Sequence, residues 1–492
     1  MKGPELNRFL IAIASLAALT SQAVRADQNH AAEDEFAAAA AALAPRFDPK
    51  RDAVTIQKLL AQKQKNAEKA HAQGIRKKVS RKQKNLTAKA LNKAKAEVVA
   101  LAAAGEDSQG KWGPVIPWTP HIPVTASLLP NGKLLTFASN QRTTFPSGPE
   151  FTYAAVWDPA TGQFTEVNNT RHDMFCGGTA LLPDGRLVVN GGRATTKLSS
   201  VFDWSANSWA ALPNMNDPRW YNPSVALPDG GVFTVSGSGG TNTAERWDEA
   251  TGWRRLSGIG WSSVTAEPGY INSWHPFLMV APNGNLFHFG PTDTMHWVET
   301  SGSGSMTNSG QFVPGTHYPK EGAWAMYNEG RILVAGGGAN TTSGSDSTTG
   351  TSAKVAYTVD LTGSTPVVAN TSSMTFARQF ANSVILPNGE VMVIGGNAGA
   401  KFSDTASVLT PEIWNPSTGA WRTVANHVTP RNYHSVALLL PDGRVWSGGG
   451  GLGGNAADHR DAEIYTPPAL YTTSGTLATR PVISSMPGKI GI

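Results

Sequence analysis

The sequence predicts an all-β protein, a propeller of seven blades, and three observations carry that prediction. A Pro-Asn-Gly or Pro-Asp-Gly turn, or a close variant, recurs between apolar stretches, with turn glycines at Gly132, Gly185, Gly230, Gly284, Gly330, Gly389 and Gly443. Their mean spacing is about 52 residues, within the range of propeller repeats. A second hairpin signature follows most turns: Val156-Trp157-Asp158-Pro159, Val201-Phe202-Asp203, Arg246-Trp247-Asp248 and Ile413-Trp414-Asn415-Pro416, each trailed by Phe164, Trp209, Trp253 or Trp421. With 51 Gly, 32 Pro and only 16% charged residues, the composition suits a turn-rich β protein.

Each repeat reads as two hairpins. In the first, a turn glycine supplies positive φ between apolar, β-branched strands, as in Thr179-Ala-Leu-Leu-Pro-Asp-Gly-Arg-Leu-Val-Val and Ser435-Val-Ala-Leu-Leu-Leu-Pro-Asp-Gly-Arg-Val-Trp. The second strand often ends in Gly-Gly. Four strands per unit, a Gly-Gly and a spaced aromatic pair describe kelch-type blades. The seventh unit ends at Ala462-Glu-Ile-Tyr465-Thr-Pro without an outer strand. Lys111-Trp112-Gly113-Pro114 supplies the missing one, so the ring is expected to close between the two ends of the propeller, removing the exposed edges of an open sheet.

Upstream of the repeats the chain changes character. Residues 1–26 carry Lys2 and Arg8, an apolar run from Phe9 to Leu19 and small residues up to Ala23 and Ala26. They read as a secretory signal peptide, too short in its apolar run for a membrane span; a retained anchor is the alternative. A secreted or extracellular location follows, with the periplasm or cell surface as variants. Residues 27–109 form an Ala/Lys-rich basic arm, helical or disordered. Residues 51–100 alone hold 14 Lys+Arg against 3 Asp+Glu, while the rest of the chain has 27 against 33. The formal charge of +5 therefore belongs to one segment. That arm is read either as a contact to an anionic surface or as a solvated spacer. Nucleic acid is excluded as a partner, because no aromatics are interleaved with the charges for stacking. Residues 110–470 are assigned to the propeller and 471–492 to the start of a further β domain. The protein is expected to be a monomer.

Cys176 is the one cysteine of the chain. In an oxidising compartment it is inert and buried, paired between chains, or chemically used. The repeat decides among these. Nine residues before each turn glycine stand Pro123, Cys176, Tyr221, His275, Glu321, Phe380 and His434, with Tyr433 beside the last. Innermost strands of a propeller line its axis, so equivalent positions form a ring at one end of it. A thiol, two phenols and two imidazoles on one axis do not make a packing solution, and N and O donors of this kind suit copper in tetragonal geometry. No paired carboxylates stand at the axis, where Glu321 is alone, which argues against a hydrolase.

At these residues the chain resembles the galactose oxidase and glyoxal oxidase family of copper radical oxidases. The matching stretches are Lys111-Trp-Gly-Pro114, His172-Asp-Met-Phe-Cys-Gly177, Arg219-Trp-Tyr221, Thr300-Ser-Gly-Ser-Gly304, Tyr433-His-Ser with Leu-Pro-Asp-Gly-Arg and Gly448 to Gly451, and Asp461-Ala-Glu-Ile-Tyr-Thr-Pro467. The resemblance spans about residues 110–492, and Arg219-Trp-Tyr221 is closer to the glyoxal oxidase branch. It implies a Cys176–Tyr221 thioether that carries a radical and copper held by Tyr221, Tyr433 and His434. In that scheme Tyr433 is the axial ligand and base, and His275 is a second-sphere or substitute ligand. The reaction implied is oxidation of a primary alcohol or aldehyde by O2 to give H2O2.

Three departures qualify the resemblance. The family takes a further His ligand from a C-terminal immunoglobulin-like domain, which would begin after Arg480-Pro-Val-Ile and is absent or truncated in a chain ending at Ile492; His459 matches a non-ligand position. The loop Ser236-Gly-Ser-Gly-Gly-Thr241 lacks the family's Trp over the thioether, leaving Trp220, Trp274 and Trp324 as candidate shields. Tyr270 is followed by Ile271, where galactose oxidase has an Arg, so the forked donor that clamps sugar hydroxyls is missing. The expected substrate is then a small aldehyde or simple alcohol rather than galactose. The competing reading is a catalytically inactive propeller that binds carbohydrate or protein.

Overall fold

The computed structural model describes residues 105–145, 148–266, 275–312, 319–338, 352–399, 403–452 and 456–481. The signal-like segment and nearly all of the basic arm lie outside them, as do Tyr270, Ile271 and Trp274. Seven antiparallel sheets make a seven-bladed propeller. We number the blades by their turn glycines, from Gly132 in blade 1 to Gly443 in blade 7. All seven turn glycines have φ between 64° and 88°, a conformation that any other residue would strain.

Blade 3 shows the plan. Strands Ser224–Ala226, Val232–Val235, Ala244–Asp248 and Gly252–Arg255 pair in chain order from the axis outward. Each blade packs face to face on the next, so second strands are buried on both sides and read as mainly apolar runs: Leu134–Phe137, Leu187–Asn190 and Val232–Val235 are buried at every residue. One core layer joins Val188 and Val201 of blade 2 to Val232, Trp247 and Trp253 of blade 3. Apolar burial of this kind stabilises by about 25 cal/mol per Å².

The ring closes through blade 7. Lys111 pairs with Thr466 and Trp112 with Tyr465, which supplies an N-terminal outer strand to a C-terminal sheet, and Ile116–Pro117 pairs with the same strand. The Trp112 indole donates to Ala425 O at 2.7 Å and the Tyr465 hydroxyl to Gln109 O at 2.7 Å. Trp118 fills the seam, fully buried, with its ring 5.1 Å from Trp446 and 5.3 Å from Trp157. Closure therefore joins residues more than 300 positions apart and covers the edge that blade 7 would otherwise leave at its third strand.

Candidate metal centre on the propeller axis

The count of nine residues before the turn glycine marks one backbone conformation. Cys176, Tyr221, His275, Glu321, Phe380 and His434 all have positive φ, between 53° and 63°. Blade 1 has Pro123 there, whose ring forbids it. Only the two histidines are of a type enriched in the left-handed region, and each non-glycine residue held there costs about 1–3 kcal/mol. Strain of that size, repeated in six blades, persists only where the surroundings fix the loop.

In three blades the same device fixes it. Glu245, Glu412 and Glu463 stand at one register position of the third strand, opposite Thr234, Val393 and Ser447. Each is fully buried and accepts two backbone N–H groups from the loop ahead of the ring: those of Asn216 and Asp217, Thr375 and Phe376, and Val428 and Thr429. Each also pairs with a buried arginine, at 3.1 Å for Arg219, 2.8 Å for Arg378 and 3.3 Å for Arg431. The arginine's Nη1 reaches the end of its own second strand, at Ser236 O, Gly395 O or Gly449 O. Its carbonyl accepts from the Gly-Gly of the blade before, at Gly192, Gly337 or Gly396. A Cβ on Gly191, Gly336 or Gly395 would lie 2.3–2.7 Å from that carbonyl oxygen, so only glycine allows the approach. Blade 2 puts a histidine where the other blades have arginine. His172 bonds Gly191 O at 2.8 Å and Ser200 Oγ at 3.0 Å, and Ser200 occupies the register position of the glutamates, opposite Val189.

These loops bring side chains of blades 2, 3 and 7 together. The Tyr433 hydroxyl donates to Tyr221 Oη at 2.9 Å. Cys176 Sγ is 3.5 Å from His434 Nε2 and within hydrogen-bonding reach of the Tyr221 side chain. The Tyr221 N–H donates to Cys176 O at 3.0 Å, and the His275 N–H to Tyr221 O at 3.3 Å. The Tyr433 and His434 rings lie 3.9 Å apart, and the His275 ring meets Tyr221 edge-on at 5.5 Å. Burial pushes the Cys176 thiol up to about 12. Burial, with the neighbouring thiol adding to it, also raises the phenols of Tyr221 and Tyr433 above their usual range. All three groups are therefore protonated near neutrality in the metal-free ring.

Trp220 covers Tyr221, with stacked rings 4.5 Å apart and 27° between planes, and its indole donates to Phe175 O at 3.0 Å. Trp324 lines the axial cavity and packs on Phe277 and Phe289 instead. Trp274 and Ile271 are outside the described residues. Other parts of the site escaped sequence reasoning. Phe145 and Phe175 stack at 5.1 Å, and each sits 5.0 Å from the His434 ring. The Arg193 guanidinium lies 5.0 Å from the Phe175 ring and 5.9 Å from that of Trp220. Below the ring, a cavity of about 420 Å³ is lined by His275, Glu321, Trp324, Phe380, Tyr433 and His434, among others. His459 is held at 3.0 Å by Asp404.

The family model described as "Glyoxal oxidase N-terminus" matches residues 150–456, which include Cys176, Tyr221, Tyr433 and His434. The chain belongs to this glyoxal oxidase family. A galactose oxidase of Gibberella zeae is 35% identical over 401 residues, 77% of this chain and 58% of that protein. An aldehyde oxidase GLOX of Vitis pseudoreticulata is 26% identical over 343 residues, 65% of this chain and 64% of its own length. The chain thus spans about three-fifths of these curated relatives. A solved structure described as a novel fungal alcohol oxidase of the AA5 family, in complex with copper, superposes with a TM-score of 0.70 at 34% identity, covering 76% of this chain and 80% of that one.

The donor set of this glyoxal oxidase family member fits copper. Among the described residues no group of three or more His, Cys, Asp and Glu side chains gathers as a metal site, and the donors that meet at the axis include the phenols of Tyr221 and Tyr433. Two phenol oxygens 2.9 Å apart beside an imidazole offer the mixed N,O field that suits copper(II).

Proposed function

We propose that this chain is the propeller of a secreted copper radical oxidase that oxidises a small aldehyde or simple primary alcohol with O2, giving H2O2. The observation that carries the proposal is the convergence of Tyr221, Tyr433, His434 and Cys176 from three blades within hydrogen-bonding distance of one another.

In this reading Tyr221, Tyr433 and His434 hold the metal, and His275 is the imidazole placed to join them. Copper, when bound, accepts one electron and lowers the pKa of its phenol ligands. Cys176 and the Tyr221 ring join as a thioether by loss of the S–H and one ring C–H. Two protons and two electrons leave, and O2 accepts them as H2O2. The cross-linked Tyr221 supplies the second one-electron acceptor, and Trp220, stacked on it, excludes water from the ring. Tyr433 takes the hydroxyl proton of the substrate, a role worth roughly 10²–10⁴-fold. The sum is RCH2OH + O2 → RCHO + H2O2, and a hydrated aldehyde yields the acid by the same balance.

The apolar wall of Phe277, Trp324 and Phe380 favours small substrates over a polyhydroxylated sugar, as does Ile271 in the sequence. The test is H2O2 release by the copper-loaded protein with methylglyoxal, simple primary alcohols and galactose. Turnover that is fastest with the first two and lost in Tyr221→Phe supports the reading. Copper binding with no turnover of any of the three would make the chain a binding module instead.

A further inference from the structure

Blade 7 gives two side chains to the axis where its neighbours give one, and the count from the clamp explains how. In blades 3 and 6 the buried arginine stands two residues before the left-handed ring position: Arg219 before Tyr221, and Arg378 before Phe380. In blade 7 it stands three before, Arg431 ahead of His434. The backbone N–H donors to the glutamate keep their distance from the arginine in all three blades, so the extra residue lies inside Arg431-Asn432-Tyr433-His434. Both ends of that segment are fixed. His434 O accepts from Gly450 at 3.0 Å and Tyr433 O from Gly451 at 2.8 Å. The slack must be taken up between them.

Asn432 takes it up. It is 2% exposed, and its side-chain amide faces three acceptors: Ser403 O at 3.2 Å, Asp404 Oδ1 at 3.0 Å and Ser407 Oγ at 2.7 Å. Asp404 is itself held from the far side, where its Oδ2 accepts from the Ala457 N–H at 3.0 Å and lies 3.0 Å from His459 Nε2. A long loop of blade 6 and one of blade 7 are thereby tied to the residue just before Tyr433. We infer that Asn432, anchored on Asp404, is the positioning residue that turns Tyr433 toward Tyr221, and that without it blade 7 would offer the axis His434 alone. This rests on the proposed role of Tyr433, but its geometry can be measured without metal.

The experiment is a crystal structure of the metal-free full chain and of Asn432→Ala, with Ser407→Ala as a milder variant that keeps the amide and Asp404. The expected result is a Tyr433–Tyr221 oxygen separation that opens beyond hydrogen-bonding distance, about 3.5 Å, in Asn432→Ala and lengthens less in Ser407→Ala. An unchanged separation in both variants would overturn the inference, even if thermal stability fell. Copper EPR on the same proteins separates it from the functional reading. Wild type with no copper signal would sink the copper site while the structures still decide the role of Asn432. A wild-type signal that Asn432→Ala broadens or shifts would support both.

Discussion

Blades 6 and 7 are built alike and end differently. Each has a buried arginine ahead of its first strand paired with a glutamate on its third, two loop N–H groups on the glutamate, and a left-handed residue at the ring. Blade 6 finishes in Phe380, which meets the Tyr433 ring edge-on at 5.2 Å, and blade 7 finishes in Tyr433 and His434. The scaffold that holds the ring is thus separable from the chemistry at its tip. One inserted residue and a change of side chain are what distinguish an apolar wall from a donor pair.

The most damaging way to probe that difference is to remove the hydroxyl. Tyr433→Phe makes blade 7 end like blade 6, and kcat for H2O2 release should fall by about 10²–10⁴-fold. Phe380→Leu should lower it by less than about tenfold. Similar losses in both would mean that the ring, not the donor, carries the effect.

The second comparison cuts the clamps. Removing one partner of a buried pair typically costs about 3–5 kcal/mol, and Arg378→Met and Arg431→Met should each lower the urea unfolding midpoint by a comparable amount. Of the two, only Arg431→Met should also change the copper EPR spectrum, since the Arg378 loop ends in Phe380 and the Arg431 loop in Tyr433 and His434. Equal spectral changes from the blade 6 variant would erase the distinction.

Blade 2 sharpens the picture from the other side, because a buried histidine takes the arginine's place at its second strand. Burial lowers His172 to about 4, and likewise lowers His121, His288 and His427 to about 3. Each binds its proton more readily when the chain is unfolded, near 6.5. Its contribution is therefore complete above pH 6.5 and is lost as pH falls toward 4 for His172 and toward 3 for the other three, by up to about 1.4 kcal/mol per pH unit for each histidine. Urea midpoints measured from pH 7 to pH 5 should fall steadily, and His172→Gln should flatten part of the slope. A slope unchanged in His172→Gln would show that the loop of Cys176 is not held through neutral His172.

Much of the scaffold was legible before any coordinates. The turn glycines, the Trp-Asp and Trp-Asn hairpins and the unfinished last blade are local patterns, and local patterns set strand, turn and closure. The same clock marks the ring positions, because one residue count from a fixed turn reaches one place on the axis. It gives no hint that those positions are left-handed, since none is the glycine that ordinarily marks that conformation, and Cys, Tyr, Glu and Phe seldom adopt it. Clamp partners lie 26–34 residues apart with nothing local to link them, although Arg219, Arg378 and Arg431 fall in near register once the repeats are aligned. Phe145 and Arg193 reach the site from loops with no repeat signature at all. Trp220 was one of three candidate covers, and only packing distinguishes it from Trp324.

The smallest change to measure is the most direct. Intact mass of the full chain, purified without metal and then loaded aerobically with copper, reports whether Cys176 and Tyr221 become joined. The account predicts a loss of two hydrogen atoms that needs both copper and O2, absent in Cys176→Ser and in Tyr221→Phe. An unchanged mass with copper stoichiometrically bound would contradict a thioether radical site on this axis.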